Sequence, residues 1–214
     1  MYSFDAISSL FVTLLVVIDP PALAPILLGL TPDMSNAQRK QTAFFACSIA
    51  FYILIISALL GSKILMILGI SFPAFRIAGG LLLFWIAFEM VFSKRTERRQ
   101  ETAVTAITKD HIKNIAAFPL AVPLIAGPGA ISTSILMAEQ SSGIIGGIII
   151  IFLIFIVVAA SYTCMLLAGS IHKVLGETGG ILLSRLLGVL LVALSIQLIG
   201  DGIQEFILLK SNNI

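Results

Sequence analysis

Two short stretches hold residue types able to bind a charged small molecule inside an apolar chain. In the first, Asp19 is followed by Pro20 and Pro21, with Pro25 one turn further on. A carboxylate in apolar surroundings is costly unless it meets a cation, a proton or a ligand. Asp19 therefore reads as a ligand for an ammonium group or as a proton carrier, with simple capping of the following helix as the alternative. The second stretch, Phe118 to Ser134, carries Pro119, Pro123, Gly127, Pro128 and Gly129, then Ser132, Thr133 and Ser134. Proline removes a backbone donor and glycine adds backbone freedom, so neither stretch can be one continuous helix. Proline suits a first helical position, so helices restart near Pro20 and near Pro128. Each new helix turns free N–H groups and the positive end of its dipole towards the break. The two ends differ, because Asp19 offsets the field of the first and no acid sits at the second. A zwitterion fits this asymmetry, with its carboxylate at Gly129–Ser132 and its ammonium towards Asp19. The candidate substrate site is thus Asp19, Pro20, Gly127, Pro128, Gly129, Ser132 and Thr133. For the individual prolines and glycines, a purely structural role is the competing reading.

The elements that position these residues belong in a bilayer. Of 214 residues, 58% are hydrophobic and 11% charged, a composition that one soluble core cannot hide. A span needs about 20 helical residues. Six runs qualify: Phe4–Leu30 and Ile115–Met137, both broken, with Thr42–Gly61, Phe72–Phe92, Ile144–Gly169 and Ile181–Leu209. Unpaired backbone in hydrocarbon costs several kcal/mol per group, so a broken helix must lie against protein or a wet cavity. Met1 to Asp5 lacks the basic start of a cleaved signal, so the first run is expected to remain as a span.

Charge sets the orientation. The loops after the first, third and fifth runs hold Arg39 and Lys40, six bases from Lys94 to Lys113, and Lys173; the opposite loops hold Lys63 and Lys210. Positive charge favours the cytoplasmic side, which puts both termini outside and the 94–114 linker in the cytoplasm. Glu97, Glu101 and Asp110 dilute that linker's charge, which reads as a solvated connector. The net charge of +2 is small and scattered, and implies no nucleic-acid partner.

The linker separates two weakly similar halves of a single transmembrane domain, about 1–93 and about 115–214. Asp19-Pro20-Pro21-Ala22 aligns with Gly127-Pro128-Gly129-Ala130, at an offset of 108 residues between Pro20 and Pro128. Phe75-Arg76 and Gly79 align with Ser184-Arg185 and Gly188, at an offset of 109 residues. Three spans per half forces opposite orientations, so the expected fold is all-α: six transmembrane helices in a 3+3 inverted repeat. Its first and fourth helices would be broken near the midplane, where such breaks mark a transporter's binding site.

Enzyme chemistry finds no support in the residues. His111 and His172 lack metal-ligand spacing, no phosphate-binding loop occurs, and no histidine or lysine accompanies the intramembrane serines. No cofactor or metal is implied. Arg76 and Arg185 lie about one turn inside spans and read as snorkelling bases, with a symmetric gate contact as the less favoured reading. Glu89, Asp201 and Glu205 lie near span ends within reach of water, and Gln197 and Asp201 share a helix face. Gly143 and Gly147 have the spacing for close helix contact, expected within the chain rather than between copies. Cys47 and Cys164 read as buried free thiols.

Taken together, Pro119 to Ile131, Phe75 to Phe84 and the ending Ser184 to Ile203 resemble the MarC family of bacterial and archaeal inner-membrane proteins, over nearly the whole chain. The first break departs from the family pattern, with Ala22 where glycine is usual and Pro21 as an extra rigid residue. The resemblance implies six transmembrane helices, an inverted repeat and kinship with LysE-type transporters. Some members of the family are described as transporters of small neutral amino acids such as glycine and alanine. The expectation is a secondary transporter of such amino acids in the bacterial cytoplasmic membrane, driven by H⁺ or Na⁺. Export of other small solutes and a non-transporting scaffold are the alternatives, and a homo-oligomer is compatible with each.

Overall fold

The computed structural model describes residues 4–32, 34–92, 94, 112–139 and 143–211, and every regular element among them is helical. In chain order these are α1 (Phe4–Ile18), α2 (Pro20–Leu30), α3 (Asn36–Ile67), α4 (Phe72–Val91) and a single turn α5 (Ile112–Ile115). A wide-turn segment (Ala116–Ile125) then leads to α6 (Pro128–Glu139), α7 (Gly143–Leu166) and α8 (Ala168–Ser211). Among the described residues five stretches are long and apolar enough to cross a bilayer, and the bent pair of Ala116–Ile125 and Pro128–Glu139, taken as one span, makes a sixth. The chain is therefore a multi-pass membrane protein. Most of the 94–114 linker lies outside the described residues.

Local sequence explains where the long helices start and stop. Ser35 caps α3: its hydroxyl accepts from the Gln38 N–H while the Gln38 side chain accepts from the Ser35 N–H at 2.9 Å. Such a reciprocal cap contributes about 1 kcal/mol. It starts α3 six residues before the apolar run, so the helix carries Arg39 and Lys40. Its other end closes on Gly69, whose φ of +69° is open to glycine at little cost. Ile70 N–H then bonds Leu65 O at 2.9 Å and Gly69 N–H bonds Met66 O at 3.1 Å, a paired closure that satisfies the last carbonyls. Ser71 caps α4 two residues later. α8 is longer than its apolar run: its 44 residues reach about 66 Å, twice the roughly 30 Å hydrocarbon layer. The stretch holding His172 and Lys173, expected as a loop, is part of this helix.

The first span is the centre of the bundle. In the most apolar 18 residues of Phe11–Leu30, 61% is buried, against 22% in those of Gly179–Leu208. The helices α1 and α2 contact α6, α7 and α8, while α3 covers α6, α7 and the wide-turn segment. α4 and α8 run antiparallel with their backbones in direct contact. A Cβ on Gly188 would lie 3.1 Å from Val91 N, one on Gly80 3.0 Å from Ser195 O, and one on Gly202 3.1 Å from Pro73 O. Lipid gives no hydrophobic drive to helix pairing, so such close approach supplies the attraction. Gly143 and Gly147 behave otherwise: among the described residues a Cβ on either meets no atom within 4 Å, so neither makes the expected close contact with them.

Candidate functional site

Asp19 joins α1 to α2. Its N–H closes α1 on Leu15 O at 2.9 Å, and its carbonyl starts α2 by accepting from Ala22 N–H at 3.1 Å. Between those bonds its φ of 57° and ψ of 65° are left-handed, the one positive φ outside glycine among the described residues. Asp tolerates this region better than most residues. The break follows from composition: Pro20 and Pro21 have no N–H, so Val16 and Val17 lose the helical donor four residues on. The side chain makes no capping bond to α2 and is 2% exposed, which removes the simple capping reading. Ser184 on α8, itself buried, donates to Asp19 Oδ2 at 3.4 Å, long for a hydrogen bond.

The second break is the larger. Phe118 and Val122 are extended (φ −139° and −127°) within Ala116–Ile125, and each immediately precedes a proline, which disfavours the helical conformation for the residue before it. Ala126 N–H reaches back five residues to Ala121 O at 2.8 Å. Gly127 follows, with the space for its Cβ occupied by Pro123 O at 2.5 Å. The axis turns 60° before Pro128 opens α6.

The fold brings the two breaks together. A Cβ on Gly129 would lie 3.2 Å from Val17 Cγ1, so the first turn of α6 rests on the last turn of α1 beside Asp19. Pro20, Gly129, Ser132 and Thr133 are buried, Gly127 is half-buried and Pro128 is exposed. Ser132 faces Gly79 of α4, its Cβ 3.7 Å from where that glycine's would be. Thr133 donates its hydroxyl proton to Gly129 O and Ser134 donates to Ala130 O, each at 2.8 Å. Those two hydroxyls keep their oxygen lone pairs as acceptors, so they could receive a donor such as an ammonium.

Sequence reasoning missed Ser184 as a neighbour of Asp19, and the partners of Arg76. Rather than snorkelling, Arg76 is an ion-pair hub, its Nη2 2.8 Å from Glu139 of α6 and its Nη1 3.0 Å from Glu205 of α8. Its side chain is 14% exposed, against 22% for Glu139 and 43% for Glu205. One arginine thus ties α4, α6 and α8 at one end of the bundle. Arg76→Ala should lower stability by about 1–3 kcal/mol, since it leaves two carboxylates facing each other. Glu205→Ala should cost under about 1 kcal/mol, because it removes the more exposed leg; thermal melts in detergent give the order. One other acid also sits differently from a solvated span end. Glu89 is buried and accepts from Trp85 Nε1 at 3.0 Å. Gln197 donates to Asp201 at 2.8 Å along α8, as their spacing suggests.

Comparison with known proteins agrees with this architecture. The family described as "MarC family integral membrane protein" matches residues 4–207. A membrane protein of Buchnera aphidicola subsp. Schizaphis graminum is 38% identical over 96% of the chain and 95% of its own length. The membrane protein YhcE of Escherichia coli is 34% identical over 95% of the chain and 94% of its own. The inner membrane protein MarC of Salmonella paratyphi B is 32% identical over 95% of the chain and 96% of its own. No solved structure matches the chain. With the match running from α1 into the last turns of α8, the chain belongs to the MarC family of integral membrane proteins.

Proposed function

We infer that the chain is a secondary transporter of small neutral amino acids in the cytoplasmic membrane, working by ion-coupled alternating access. One observation carries this reading: a buried aspartate at a helix break lies against the first turn of a second broken helix. The N–H groups of Gly129 and Ala130 open α6 and favour a carboxylate, while Asp19 favours an ammonium. An α-amino acid carries both charges on neighbouring atoms. Buried small and apolar residues around them, such as Val17 and Gly129, suit a side chain no larger than a hydrogen or a methyl group.

The antiparallel contact of α4 with α8 supports reading the chain as two inverted halves. Gly80 and Gly188, close to equivalent in the repeat, each press on the other helix. Alternating access would then rock one half against the other around the breaks. In the orientation given by the loop charges, Arg76, Glu139 and Glu205 lie at the outer end and form its closure. Asp19 is the group through which a cation, H⁺ or Na⁺, would couple to transport.

Exchange in liposomes tests the function. Vesicles containing purified protein and unlabelled alanine should take up labelled alanine saturably, and imposed H⁺ or Na⁺ gradients should drive net uptake through one ion. No exchange of alanine or glycine by folded, inserted protein would contradict this reading. Exchange confined to other small solutes would move the substrate class. Stoichiometric recovery of a partner protein without solute binding would favour a scaffold.

A further inference from the structure

A cavity of about 400 Å³ opens between the end of α2, the start of α3 and the junction of α7 with α8. This lies within the roughly 300–1,000 Å³ of ligand pockets. Leu27, Leu28, Met165 and Leu166 form its apolar wall, and Arg39 and Lys40 its charged rim, with no acid among the described lining residues. Arg39 is held in place: Nε and Nη2 donate to Thr31 O at 3.1 and 2.9 Å, and Nη2 also donates to Pro32 O at 3.2 Å. These bonds fix the guanidinium across the α2–α3 turn and leave Nη1 outside them. Lys40 is exposed beside it.

We propose that this cavity is a binding site for an anionic phospholipid, its headgroup phosphate between Arg39 and Lys40 and the start of an acyl chain along Leu27, Leu28, Met165 and Leu166. Both halves of the cavity are needed to choose the occupant. A neutral amino acid would bring its ammonium, as well as its carboxylate, beside two bases, and a free phosphate would leave four apolar side chains uncovered. A lipid of one negative charge covers both, and basic pockets between spans at a membrane surface are the sites such headgroups take. Leu166 is 39% exposed on the flank of α7, which gives the chain a path into the bilayer. The site is separate from the Asp19 break, so this inference stands or falls independently of transport.

Purified full-length protein in a neutral detergent, offered equal amounts of phosphatidylglycerol and phosphatidylcholine, tests it by native mass spectrometry of bound lipid. Wild type should retain phosphatidylglycerol in preference. Each base near an anionic headgroup is worth about fivefold in affinity, so Lys40→Gln should weaken retention of phosphatidylglycerol about fivefold and leave phosphatidylcholine unchanged. Lys63→Gln, at the other end of α3, should change neither. Arg39→Lys, which keeps the charge, guards against a variant that fails only because the α2–α3 turn is lost. It should retain the lipid better than Arg39→Gln at equal melting temperature. Equal retention of the two lipids by wild type, or an undiminished preference in Lys40→Gln, would overturn the proposal. Stabilisation by inorganic phosphate alone equal to that by phosphatidylglycerol would also overturn it, by assigning the site to a free anion.

Discussion

Asp19→Asn should abolish amino-acid exchange while leaving the protein folded and inserted. Asparagine keeps the size of the side chain and adopts the left-handed conformation that Asp19 holds as readily as aspartate does. It also keeps an oxygen to accept from Ser184, 3.4 Å away in the wild type. The melting temperature should therefore stay close to wild type. The lost property is the charge. Truncating one side of a buried charged pair costs about 2–5 kcal/mol of binding, which is roughly 30-fold or more in affinity. Asp19→Ala should lose exchange too and in addition lower stability, since alanine resists the positive φ. If Asp19→Asn exchanged alanine at wild-type affinity, the carboxylate would be structural and the ligand would sit elsewhere.

Gly127→Ala should be the most damaging of the single-methyl insertions at the glycines whose surroundings are described. The new Cβ would lie 2.5 Å from the carbonyl oxygen of Pro123, a backbone atom held by the turn that bends α6 by 60° away from the preceding segment. Relief requires the turn itself to move, at a cost of about 1–3 kcal/mol or more. Because α6 rests on α1 beside Asp19, exchange should fall with stability. Gly29→Ala is the matched control. Gly29 lies within α2, where an added Cβ meets nothing within 4 Å, and alanine raises helix propensity by up to about 1 kcal/mol. Thermal melts should show a large loss for Gly127→Ala and no loss for Gly29→Ala. Equal melts would mean that the tight turn before Pro128 is not needed.

The breaks were legible because proline acts locally. Pro20 with Pro21, and Pro119, Pro123 and Pro128, each remove a donor wherever the chain goes, and both interruptions fall where those residues stand. The six apolar stretches were legible for the same reason, since hydropathy is a property of each segment. Helix ends were less so. α3 begins at Asn36 because Ser35 and Gln38 cap it, and α8 runs back to Ala168 through polar residues; hydropathy marks what sits in lipid and not where a helix stops. Pairings were the least legible. Arg76 meets Glu139 and Glu205 across 63 and 129 residues of chain, and Ser184 meets Asp19 across 165. Nothing at Arg76 separates an ion-pair hub from a snorkelling base until α4, α6 and α8 are assembled. The zwitterion argument drew on residue types alone, and the contact of Gly129 with Val17 is what adds proximity to it.

The most direct measurement places a thiol beside Asp19. Ser184→Cys, in a chain whose native thiols are removed by Cys47→Ala and Cys164→Ala, puts a sulfur where the Ser184 hydroxyl faces the carboxylate. Its modification by a small, membrane-impermeant thiol reagent is timed in vesicles with and without alanine, in a preparation that exchanges alanine. A substrate held between Asp19 and the first turn of α6 should slow the labelling saturably, with half-protection near the concentration that half-saturates exchange. An unchanged labelling rate at saturating alanine, in protein that still exchanges it, would contradict a substrate site at the Asp19 break.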